Sequence, residues 1–268
     1  MNVIAFLTDW GLSSYYVSVC KSVIKRINKN ADIIDITHSA GHFNIKKYAA
    51  LIFRACRDFE EGTVFLCVVD PTVGSPRKPI ALKTSKYNYY FVGPDNGLFT
   101  LVIQEFGVEE SVELADKRFF YKTDYSSTFH GRDIFAPVTA YISKGINIDH
   151  FGPKTEKLVT FEVQKPIIEG NKVICDYLYS DDFGNIETNL SSNYLEHLDL
   201  GKKVTVEING AKNTARVVNN YAEVKKGELL LHIDSSGFYE ISANQSNAAH
   251  KFNLTDDFEG KVKIYLEL

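Results

Sequence analysis

Sulfur is scarce in this sequence: 268 residues include four cysteines and a single methionine. Cys20, Cys56, Cys67 and Cys175 stand far apart, with no CxxC pair and no histidine at zinc-ligand spacing. They read as buried free thiols rather than a disulfide framework or a metal site. Positive charge is also short. Thirty Lys and Arg against 34 Asp and Glu leave a formal net charge of −4, which gives no basic field for nucleic acid or anionic lipid. No apolar run nears the ~18 residues that suggest a membrane span. The opening MNVIAFLTDWG lacks a cationic leader and turns polar at Thr8 and Asp9. A cytoplasmic protein without nucleic-acid or membrane partners is the expectation.

Internal repeats and low-complexity tracts are missing too, and what remains is of globular type, 44% hydrophobic and 24% charged. The first half alternates strand-like and helix-like periods. Strands are predicted at 3–8, 33–36, 63–69, 79–84 and 89–92, and helices at 14–28, 44–57, 98–106 and 133–143. The unbroken apolar run Thr63 to Val69 suits a strand buried on both faces, which implies a mostly parallel central sheet. After Pro166 only strand-like segments follow, at 172–179, 203–208, 211–218, 228–233, 237–243 and 261–268, punctuated by turns such as Asn209-Gly210. A barrel is their natural closure, because it leaves no exposed edge. The expected organisation is an α/β domain over 1–152, a linker over 153–165, and a small all-β barrel over 166–268.

Polar clusters fall where predicted strands run out. Asp9, in Thr8-Asp9-Trp10-Gly11, either accepts hydrogen bonds from a vicinal diol or caps the next helix. Asp70 opens Asp-Pro-Thr-Val-Gly, a sequence that forms turns for local reasons. Arg77 follows close enough to fold back and hold that carboxylate ionised. Gly93-Pro94-Asp95-Asn96-Gly97 reads foremost as a tight turn. His130 lies at a loop-to-helix junction beside Gly131, with Asp133 placed to cap the helix. In the β-rich half, Asp181-Asp182-Phe183-Gly184-Asn185, Ser235-Ser236-Gly237 and Asn244-Gln245 are either hairpin chemistry or recognition groups, with Phe183 able to stack on a flat ring.

Taken in order, TDWG, VVDPTVG, GPDNG, TFHGRD, DDFGN and SSG with NQ resemble the S-adenosylmethionine hydroxide adenosyltransferase family, hydrolase relatives of the S-adenosylmethionine-dependent fluorinases and chlorinases. The resemblance covers nearly the whole chain. It implies hydrolysis of S-adenosylmethionine to adenosine and L-methionine, with Asp70, Arg77 and His130 holding the attacking water. It further implies substrate contacts from Asp9 and Phe43 at the ribose, from Asp181 and Ser235 at the methionine end, and from Asn185, Asn244 and Gln245 around adenine. Neither cofactor nor metal is implied, since S-adenosylmethionine is the substrate. A homotrimer with sites between subunits is implied as well. The sequence departs from the family pattern at Ser14, Ser22, Thr72 and Ser236. A fixed carboxylate beside the reacting carbon repels halide, so Asp70 argues against halogenation.

Overall fold

The computed structural model describes residues 3–195, 198–255 and 258–266. Its contacts divide the chain into two units, Met1–Phe161 and Glu162–Leu268. In the first, strands β1 (Val3–Thr8), β2 (Asp32–Thr37), β3 (Val64–Val68), β4 (Pro79–Thr84), β5 (Tyr90–Pro94) and β6 (Val108–Glu113) form one sheet in the order β2-β1-β3-β5-β4-β6. Around it lie α1 (Tyr16–Ile27), α2 (Ile45–Ala55), α3 (Thr100–Phe106) and α4 (Ala136–Ser143). Strand β3 is buried along its whole length, as its unbroken apolar run requires.

The expectation of a mostly parallel sheet holds in part, because the sheet is mixed with one reversed strand. β1 runs parallel to β2 and β3, and β3 to β5, but β4 is antiparallel to both β5 and β6. The cause is chain length: residues 85–89 join β4 to β5, far short of the dozen or more residues that a parallel crossover takes. Tyr87 and Asn88 turn the corner with φ of 63° and 50°. Strand β6 escapes sequence reading because Val-Glu-Glu-Ser-Val-Glu is polar, with Val112 its only apolar residue that is fully buried.

Register matters most at the upper end of the sheet. Thr8 pairs with Val68, so the loops that carry Asp9 and Asp70 leave adjacent parallel strands side by side. The third loop enters through one turn of π-helix, Gly131–Phe135, that runs into α4. Asp133 therefore lies inside this turn and does not cap the helix.

The second unit is the expected barrel. It comprises β7 (Ile167–Glu169), β8 (Lys172–Ser180), β9 (Ile186–Ser191), β10 (Lys203–Ile208), β11 (Ala211–Val217), β12 (Leu229–Ile233), β13 (Phe238–Ala243) and β14 (Lys261–Leu266), with a short helix α5 (Ala248–Lys251). β8 to β14 close a ring of seven through the β14–β8 pairing, while β7 adds to β8 outside it. Val206, Leu231, Ile241, Phe252 and Ile264 belong to its core. The Asn209-Gly210 turn, both residues at positive φ, closes the β10–β11 hairpin as that dipeptide prefers. Residues 267 and 268, within the last predicted strand, lie outside the described residues. Among the described residues no helix is long and apolar enough to cross a membrane, and all four cysteines are free and buried.

Candidate active site

A cavity of about 470 Å³ opens where the β1 and β3 loops meet the 126–132 segment. Its walls include Asp9, Trp10, Tyr16, Phe43, Asp70, Phe129, His130, Gly131 and Arg132. That volume falls within the range of small-molecule sites. Trp10 meets Phe6, Tyr16 and Phe129 edge-on at centroid distances of 5.6 to 6.3 Å, giving the cavity an aromatic wall.

Asp70 and Arg77 form a forked ion pair. Arg77 Nε donates to Asp70 Oδ1 at 3.1 Å, and Nη2 donates to Oδ2. The side chains retain only 5% and 7% of their exposure, so this pair is shielded from water. The same Nη2 lies 2.8 Å from His130 Nδ1. Guanidinium can only donate, so Nδ1 must accept, which puts the proton of neutral His130 on Nε2. Arg77 Nη1 is buried and has no acceptor among the described residues, leaving donor capacity beside the trio.

Burial, followed by the Arg77 charge, pushes the His130 imidazole below its ordinary value, against the opposing carboxylates of Asp70 and Asp133. As pH falls, the unfolded chain binds this proton first, so the histidine's contribution is intact above about 6.5 and is lost as pH drops toward the lower folded value. Protonation also removes the acceptor that Arg77 uses. We expect turnover to lose a single proton-linked phase with its midpoint below 6.5, readable from kcat against pH and missing in His130→Ala.

Asp9 does not serve as a helix cap. The N-cap of helix α1 is Tyr15, with no side-chain cap, while Asp9 Oδ2 accepts the Phe43 amide at 2.9 Å. Burial raises its carboxyl pKa, opposed by that amide and by His42. His42 Nδ1 also bonds the Asp9 carbonyl at 2.7 Å, fastening the 41–44 loop to the end of β1. Phe43 itself sits at φ 65° and is 69% exposed. A phenylalanine in the left-handed region costs about 1 to 2 kcal/mol. Phe43→Gly is therefore expected to unfold at a denaturant midpoint no lower than the parent, unlike a core aromatic truncation, while the substrate KM rises.

Asp95 and Asn96 serve the fold. Asp95 Oδ1 accepts the Val159 amide at 2.8 Å, and Asn96 Nδ2 donates to the Val69 carbonyl at 2.9 Å, tying the GPDNG turn to the β3 exit. Ser14 accepts the Tyr16 amide at the start of α1.

The remaining candidates belong to the second unit. Asp181 accepts the amides of Phe183 and Asn185 and the Asn185 side chain, closing the hairpin tip on itself, and burial raises its pKa. Phe183 projects from this tip, 78% exposed. Ser235 lies in a turn held by Asp234, which accepts the Ser236 and Phe238 amides. Asn244 donates to the Val224 carbonyl, and Gln245 occupies a turn position at φ 50°. Close by, carboxylate oxygens of Glu187, Asp234 and Glu240 gather within 4.8 Å of one another. Glu240 Oε1 already receives His232 at 2.9 Å, Tyr221 at 3.0 Å and Ser242.

Sequence reading missed Trp10, Phe129 and Arg132 as cavity walls. The one available signal was the lone tryptophan inside a polar strand-end motif.

A cavity at the carboxyl ends of parallel strands, with a shielded charged trio at its edge, defines a small-molecule enzyme on an α/β scaffold. Comparison with known proteins narrows the class. Residues 4–152 match the SAM hydroxide adenosyltransferase N-terminal domain, and residues 175–257 match the corresponding C-terminal domain. The chain belongs to the SAM hydroxide adenosyltransferase family. It is 35% identical over 272 residues to the (R)-S-adenosyl-L-methionine hydrolase of Methanocaldococcus jannaschii, covering 98% of this chain and 96% of that one. It is 34% identical over 255 residues to the Salinispora tropica protein of the same name, covering 94% of each. A solved structure of a conserved Thermotoga maritima protein superposes with a TM-score of 0.93 at 43% identity, covering 98% of this chain and 99% of that one.

Proposed function

We propose that this protein hydrolyses S-adenosylmethionine at the ribose 5′ carbon, releasing adenosine and L-methionine. The observation that carries this reading is the Asp70–Arg77–His130 trio at the edge of the cavity.

Departure of a sulfonium as a neutral thioether needs no proton, so the protein's task is to present the oxygen nucleophile. His130 Nε2–H serves as a donor that fixes the water oxygen. Asp70 uses two lone-pair sites on Arg77 and keeps others to accept a water proton. Arg77 holds the Asp70 carboxylate in one orientation and His130 in one tautomer, so no group has to reorganise during attack. The water oxygen bonds to the 5′ carbon, the carbon–sulfur pair leaves with sulfur, and the released proton passes by way of Asp70 to solvent. Asp9 and Phe43 grip the ribose, while Asp181, Phe183, Asn185, Ser235, Asn244 and Gln245 of the second unit supply the methionine and adenine contacts. Neither metal nor cofactor takes part in this scheme.

The reading includes a cytoplasmic homotrimer with sites completed between copies. Leu12, Tyr15 and Phe43, 71%, 63% and 69% exposed, support it as an apolar surface that association would cover. Light scattering tests the trimer. The activity test is chromatography of purified protein with S-adenosylmethionine in heavy-oxygen water. Adenosine labelled at the 5′ hydroxyl, with methionine in equal amount, is the expected result, and the absence of adenosine overturns the reading.

A further inference from the structure

We propose that Asp133 is a positioning residue for the reaction, fixing the segment that carries His130 so that its imidazole meets Arg77 in one tautomer. This rests on the hydrolase reading above for its kinetic half only.

Asp133 is fully buried, and its carboxylate reaches in two directions. Oδ1 accepts Arg132 Nε at 2.6 Å, while Oδ2 accepts Arg132 Nη2 at 2.9 Å and the Ser126 amide at 2.8 Å. Its backbone binds the same segment twice more, donating to the Phe129 carbonyl at 3.2 Å and accepting the Tyr121 amide at 2.9 Å. One residue thus ties down chain at 121, 126 and 129, on the approach to His130. Burying a carboxylate completely is costly unless it is paired and hydrogen-bonded, and among the described residues this carboxylate takes its hydrogen bonds from the loop and from its neighbour Arg132.

Arg132 extends the hold to the cavity wall. Its guanidinium lies over Phe129 at 5.1 Å and Tyr121 at 5.9 Å, and Phe129 in turn packs against Trp10. Asp133 lies inside the π-turn Gly131–Phe135, and from there its carboxylate reaches back along the loop to the Ser126 amide. From the other side the segment meets the 70–77 loop closely, since a Cβ on Gly74 would lie 2.9 Å from the Ser127 carbonyl oxygen. His130 is held between these two loops. A displacement of about 1 Å between reacting groups costs on the order of a hundredfold in rate.

The test is a mutant cycle with an independent spectroscopic readout. Asp133→Asn is expected to lower kcat at least about tenfold with KM changed less than about threefold. Added to His130→Ala, it should cost almost nothing further, because both act through the same imidazole. Nitrogen NMR of the His130 ring, recorded above its titration, should show a single Nε2–H tautomer in the parent and averaged tautomers in Asp133→Asn. If Asp133→Asn does not fold, Arg132→Lys keeps the charge and loses the fork, and the same two readouts apply. An unchanged tautomer, or equal losses in the parent and His130→Ala backgrounds, overturns the proposal. A parent that releases no adenosine overturns the hydrolase reading instead and leaves the tautomer measurement to decide this one.

Discussion

Arg77→Ala is expected to lower kcat by about a thousandfold and to destabilise the fold by about 3 kcal/mol. Both effects have one origin. Without the guanidinium, Asp70 remains as a carboxylate almost closed off from water with no cation beside it, and His130 loses the donor that selects its tautomer. Arg77→Lys retains the charge but cannot offer two parallel hydrogen bonds to Asp70 and a third to His130. It should recover most of the stability and little of the turnover. Initial rates of adenosine release, set beside denaturant unfolding, separate the two quantities. A Lys variant with parental turnover would show that only charge is needed, contrary to the geometry described for the trio.

Gly131→Ser should produce the second large effect, by steric means. A Cβ at this position would lie 2.7 Å from Trp10 Cζ2 and closer still to Cη2, so the indole must move. The neighbours oppose this, because Trp10 is in edge contact with Phe6, Tyr16 and Phe129. Overpacking of this kind costs about 1 to 3 kcal/mol. Since Trp10 and Gly131 both line the cavity, its shape changes as well, and a turnover loss of about a hundredfold is expected. Trp10 is the only tryptophan in the chain, so its fluorescence reports the displacement directly. Emission and turnover both matching the parent would mean that the wall yields at no cost.

The strands that sequence reading found are those with strong hydrophobic runs or clear turns at their ends. Of those it missed, β6 and β9 have polar side chains that look like loop, and β7 is only three residues long. In β9, Ile186 and Leu190 face the barrel core, but Glu187 and Asn189 fall between them and break the apolar signal. The reversed direction of β4 was legible, since both flanking strands are placed within two residues and the connection between them is too short for a parallel crossover. At the candidate site, the return of Arg77 to Asp70 was legible because the two lie close in sequence and opposite in charge. The role of Gly131 as a seat for Trp10 was not, since more than a hundred residues separate them and only packing joins them. Asp133 was mistaken for a cap because an acidic residue before an apolar helix normally is one. Its carboxylate instead accepts the Ser126 amide and the Arg132 guanidinium from within a π-turn.

The pairing of Thr8 with Val68 fixes more than the sheet. Two carboxylates that leave adjacent strands one and two positions beyond that rung inherit their spacing from the hydrogen-bond ladder, as marks on a ruler do, and loop composition has little say in it. Substitutions within the 71–76 turn, Thr72 among them, alter how Arg77 returns without moving where Asp70 begins. A single-residue deletion inside β3 is different: it would turn every later side chain to the opposite face and carry Asp70 away from Asp9 in one step. Deletions within β3 should therefore be far less tolerated than substitutions at exposed positions of the following turn such as Thr72.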